Sequence, residues 1–165
     1  MCKMFNVAVL GVSLLLTSVL VGCGGGDEVP SEFQEVMSKI VPATGKVTLA
    51  GEPLANATVT FIPVNDGADT ASAVTDANGM YDLVTPLPGI SPEESKGVAP
   101  GEYRVRISRF AMPDGSPIPA GMMEAEAEGE GAKESVPAKY SNFEATTLKV
   151  TVASPKAENN FDLEK

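Results

Sequence analysis

Hydrophobic and polar positions follow three different periods along the chain. Residues 7–21 (VAVLGVSLLLTSVLV) form a charge-free apolar run of 15, and Lys3 is the only charge in the first 26 residues. That length matches the core of a secretory signal and falls short of the roughly 20 residues a spanning helix needs. Further on, Phe33, Val36, Met37 and Ile40 recur at helical spacing, with Ser31 and Gln34 placed as a capping box. About ten residues of helix are marginal alone, so this one is expected to form only where its stripe docks on something larger.

From Thr44 the period becomes two. Val47 and Leu49 alternate with Lys46 and Thr48, and Val59 and Phe61 with Thr58, Thr60 and Ile62. Tyr81 and Leu83 alternate with Met80 and Asp82, and Tyr103, Val105 and Ile107 with Arg104, Arg106 and Ser108. Leu148, Val150 and Val152 alternate with Lys149 and Thr151, and Phe161 and Leu163 with Asp162 and Glu164. Such runs predict half-buried antiparallel strands, and Ser72–Thr75 is a seventh candidate. Gly51 and Gly79 stand where hairpins need positive φ. The expectation is an all-β domain, a single antiparallel Greek-key sandwich of about seven strands.

Two features refine that reading. Pro100-Gly101-Glu102-Tyr103 fits either a tyrosine corner, with the phenol bonded back to the chain, or a plain core tyrosine. Arg104 and Arg106 on one strand and Asp162 and Glu164 on another would pair across a sheet if those strands were neighbours. One segment breaks the pattern. Residues 111–137 hold four prolines, four glycines and the stretch EAEAEGE at 124–130, and are expected to form a mobile acidic insertion.

The end of the first apolar run changes the picture most. Leu20-Val21-Gly22-Cys23 looks like a bacterial lipobox, in which cleavage after Gly22 leaves a diacylglyceryl-modified Cys23 as residue one. Gly24–Gly26 then supply a flexible tether. Expected boundaries are a signal peptide at 1–22, lipidated Cys23 and tether to 42, and the domain at 43–165. Localisation follows as exported and lipid-anchored, at the cell membrane or outer membrane, with the domain in the periplasm or at the surface. Cleavage removes Lys3 and no acid, leaving 143 residues with 11 bases against 22 acids. So acidic a chain is expected to stand off anionic lipid, and its net charge argues against nucleic acid, which requires clustered cations.

The runs Thr44–Phe61 (TGKVTLAGEPLANATVTF), Thr75–Tyr81 (TDANGMY) and Pro100–Val105 (PGEYRV) resemble the carboxypeptidase regulatory-like, or transthyretin-like, β-sandwich. Pro137-Ala-Lys-Tyr-Ser and the closing Asn160-Phe-Asp-Leu are similar to small planctomycete lipoproteins carrying that domain. The resemblance covers residues 43–165 and implies a prealbumin-like sandwich. It implies no activity, because the motifs that carry it are structural.

Candidate chemistry is sparse. The chain has no His, and its only Cys beyond the signal is the one expected to be acylated, so Ser-His-Asp and Cys-His arrangements are excluded. Asp76, Asn78 and Asp82 carry hard oxygens that could hold Ca²⁺, with Asp66 and Asp69 in the preceding loop. The same residue types build turns, and the glutamate completing an EF-hand loop is missing, so no metal or other cofactor is expected. No catalytic residue is assigned. The function expected is that of a non-enzymatic, lipid-anchored envelope protein, a structural or binding module whose partner is the membrane and an envelope protein or glycan. The alternative is an accessory or ligand-binding subunit of an envelope transport or secretion complex.

Overall fold

The computed structural model describes residues 31–119 and 121–165. Chain order is α1 (Ser31–Lys39), β1 (Ala43–Leu49), β2 (Glu52–Pro53), β3 (Thr58–Pro63), β4 (Ala71–Val74), β5 (Met80–Asp82), β6 (Gly101–Ser108) and β7 (Phe110–Ala111). It continues with α2 (Glu124–Gly129), β8 (Lys133–Glu134), α3 (Ala138–Ser141), β9 (Lys149–Val152), β10 (Ala157–Glu158) and β11 (Phe161–Leu163). The fold is all-β with a few short helices. Each of the seven runs of alternating residues coincides with a strand. The remaining strands are two residues each, too short to show a period.

Four strands form an antiparallel sheet in the order β4-β3-β6-β9. The second sheet is built around β1 and departs from the expected all-antiparallel arrangement. β2 and β5 pair with β1 antiparallel, but β10 and β11 run parallel to it. Ala43 faces Ala157 and Val47 faces Phe161, so one register continues through β10 and β11. Between them Gly45 lets the β10–β11 segment approach, since a Cβ there would lie 1.8 Å from the Asn159 carbonyl oxygen. Tyr81 Oη donates to that same oxygen at 2.7 Å and fixes the dip.

The alternation selects the core. Val59 and Phe61 from β3, Tyr103, Val105 and Ile107 from β6, and Val47 from β1 are each 0–1% exposed. Phe61 lies 5.8 Å from Tyr103 within its own sheet and 6.3 and 6.2 Å from Tyr81 and Phe161 of the other. Four of the nine aromatic side chains thus meet in one cluster that joins the two sheets. Tilted and edge-on pairs at these separations add to the area they bury.

Two further readings meet the topology and the short elements. β6 is flanked by β3 and β9, while β11 lies beside β1 in the other sheet, so the Arg104/Arg106 and Asp162/Glu164 sets are not neighbours. Asp162 accepts instead from the Thr48 hydroxyl at 2.6 Å. The segment 111–137, expected as a mobile acidic insertion, holds short regular elements among its described residues. β7 and β8 close its base as an antiparallel pair. Glu134 Oε1 accepts from the N–H groups of Arg109 and Val136 at 2.9 and 2.8 Å. Ala127 of α2 is buried, and its carbonyl accepts from Ala132 N–H at 2.8 Å. A helix whose buried contact is a single alanine leaves no apolar stripe to read in sequence.

Candidate functional site

Cys23 and Gly22, the residues expected to carry lipidation and cleavage, lie outside the described residues. Where the chain enters the domain, the Phe33, Val36, Met37 and Ile40 stripe of the α1 segment is half-buried, so the helix docks shallowly. Immediately after it, Val41 N–H donates to Val98 O at 2.9 Å and Val98 N–H returns to Val41 O at 3.0 Å. The entry point is therefore pinned by backbone bonds, while the helix beside it rests on part of one face.

That shallow seating leaves space. A hollow of about 520 Å³ lies between the end of α1, the 65–68 loop and the 99–103 corner. A second, of about 310 Å³, adjoins it and shares Lys39, Gly67, Ala68 and Ala99. Tyr103 forms the floor. Its ring is 1% exposed and its hydroxyl donates to Ala99 O at 2.8 Å, so it is a core residue and a tyrosine corner at once. Burial, with a smaller contribution from the negative charge of Asp69, raises the phenol above its ordinary value. It stays protonated at neutral pH and serves as a structural donor.

The rim is acidic. Asp66 and Glu102 line the larger hollow, and Glu35 and Asp69 the smaller. Among the described residues lining either, Lys39 is the only cation, and it is bonded to Glu35 at 2.6 Å. These groups are exposed and polar. They suit shallow contact with a partner surface better than enclosure of a small molecule.

The calcium candidates are placed as turn and strand residues. Asp76 accepts from the N–H groups of Asn78 and Met80, each at 2.8 Å, and closes the hairpin into β5. The bonds from Met80 and then Asn78 hold its carboxyl below the usual carboxylate range. Gly79 in this turn has φ +76°, with the Val47 carbonyl oxygen 2.4 Å from where a Cβ would stand. Asp82 faces Lys96, 3.9 Å away, and the same lysine meets Glu93 at 2.7 Å. Among the described residues no cluster of three or more His, Cys, Asp or Glu side chains is gathered that could hold a metal ion.

Sequence reading identified the 100–103 corner but not the hollow beside it. The 65–68 lining shows in sequence only as turn-forming Asn, Asp and Gly, and the depth of the space depends on how far α1 stands off.

No protein-family model matches the chain, and no curated protein does. Among solved structures it is similar to a 9R-lipoxygenase from Cyanothece PCC8801, at 13% identity over 78% of this chain, with a TM-score of 0.34. The chain spans 17% of that lipoxygenase, and likeness at this level carries neither fold nor chemistry across.

Proposed function

We propose that the protein is an exported, lipid-anchored envelope protein whose domain is a non-enzymatic structural or binding module. Its finer fold on this reading is a Greek-key sandwich of the carboxypeptidase regulatory-like type. The observation that carries the proposal is Leu20-Val21-Gly22-Cys23 at the end of a 15-residue apolar run. A thiol beside small residues at that point is what diacylglyceryl transfer and signal cleavage act upon. Two further facts support it. Among the described residues no helix is long and apolar enough to cross a membrane, so attachment of this part of the chain would come from outside it. The chain also has no His to act as a base near neutral pH.

Each buried methylene of an acyl chain contributes about 0.8 kcal/mol to membrane binding, so two or three chains anchor firmly. The expected behaviour on detergent phase separation is that the protein made in its host enters the detergent phase, and that Cys23→Ser moves it to the aqueous phase. A Cys23→Ser protein that stayed with detergent would show that the anchor is not the lipid. Turnover of a broad hydrolase substrate panel, abolished by mutating a single carboxylate, would overturn the non-enzymatic reading.

A further inference from the structure

The outer face of the antiparallel sheet departs from the acidic character of the chain. Tyr103, Val105 and Ile107 point into the core, so Arg104 and Arg106 point out. The register sets Arg104 opposite Lys149 of β9 on one side and Ile62 of β3 on the other, with Arg106 beside Thr60. Val105 N–H donates to Leu148 O at 2.9 Å, which makes 105–148 a hydrogen-bonded pair. The alternation then makes 104–149 one of the close non-bonded pairs, whose Cα atoms stand about 4.5 Å apart. Like charges directly opposite one another destabilise a sheet.

The chain carries 22 acids to 12 bases, yet among the described residues none of Arg104, Arg106 and Lys149 forms an ion pair. Neutral groups hold the two arginines instead. The Arg104 guanidinium lies 4.8 Å from the centre of the Phe143 ring, itself 47% exposed. Arg106 Nε donates to Ser141 O at 2.7 Å. Glu102 faces the same side opposite Thr151, beside Arg104 and diagonal to Lys149, and forms no ion pair with either.

β9 is also an open edge. It pairs with β6 alone, and the same alternation turns the main-chain N–H and C=O of Lys149 and Thr151 away from β6. Those groups make no hydrogen bond among the described residues. An exposed edge strand is a template for a further strand, with main-chain bonds supplying affinity and alternate side chains supplying selectivity.

We propose that β9 receives an extended acidic peptide as an added strand, bonded to the main chain of Lys149 and Thr151, with one carboxylate in line with the Lys149–Arg104 pair. The chain as a whole has a net charge of −10, so its surface away from this row repels such a peptide and complementarity directs it here. The inference rests on the reading of the domain as a binding module and is independent of the anchor at Cys23.

The test titrates a fluorescein-labelled peptide of alternating Glu and Val into the full chain in zwitterionic detergent, followed by polarisation. The expected result is saturable binding that Arg104→Gln and Lys149→Gln each weaken about tenfold. Thr151→Pro should abolish it without changing the melting temperature, because the N–H it removes faces away from β6. The same peptide N-methylated at alternate amides should not bind, which carries the test even if Thr151→Pro fails to fold. Equal binding of the N-methylated peptide, or no binding at about millimolar concentration, would overturn the proposal. So would adsorption to phosphatidylglycerol vesicles that is lost in Arg104→Gln but kept in Thr151→Pro, since the face would then serve a lipid surface.

Discussion

Among single residues, the tightest constraints lie where backbone packs against backbone. Gly45 is needed because the Asn159 carbonyl occupies the space a side chain would fill, and Tyr81 bonds to that same oxygen. Gly45→Ala should force β10 and β11 off β1 and cost at least about 2 kcal/mol, read as a lowered midpoint in urea. Tyr103 can be divided into its two roles. Tyr103→Phe keeps the ring and removes the bond to Ala99, for a loss of about 1 kcal/mol, whereas Tyr103→Ala also opens a cavity and should cost about 3–5 kcal/mol. Asp76 gives a pH signature. Its folded pKa is lowered by the Met80 and Asn78 amides, so its stabilising contribution is present above the ordinary Asp value and is lost as pH falls through the lower, folded one. The melting temperatures of wild type and Asp76→Ala should differ at pH 6 and converge toward pH 2. A constant difference would mean that the carboxylate charge is not what the turn uses.

Among elements, legibility in sequence followed length. Strands such as β3 and β6 were readable because enough residues alternate to show a period of two and name the inward face. Their neighbours were not readable, since pairing is set by tertiary packing. The parallel contact of β1 with β11 joins residues such as Val47 and Phe161, far apart in the chain. The same limit hid the Arg104–Lys149 juxtaposition and left open whether Arg104 and Arg106 face Asp162 and Glu164, which lie in the other sheet. In 111–137 the glutamates of α2 masked a helix seated by one small residue, Ala127. Among the described residues, that insertion contributes nothing between 112 and 135 to the main core cluster. Replacing 113–131 with a short turn from β7 to β8 should therefore change stability by no more than about 1 kcal/mol and keep unfolding cooperative. Loss of the cooperative transition would show that the insertion braces the sheets.

For the whole molecule, the features divide between two ends of the chain. The first 23 residues hold the motif from which export and anchoring are proposed. The domain holds one aromatic-centred core, an acidic hollow beside its entry point, and a basic row along an open edge. On the proposed lipid tether, so acidic a body would stand away from an anionic bilayer and keep both surfaces accessible. Of the candidate site, the proposed anchor rests on sequence alone, because acylation acts on a short linear motif. The hollow and the basic row were not legible there, because each is assembled from segments that meet only on folding. The most direct test of the account is the intact mass of the protein from the membrane fraction of its host. It predicts a chain beginning at Cys23 and heavier by a diacylglyceryl group, a species absent from the Cys23→Ser variant. An unmodified chain retaining residues 1–22 would contradict it.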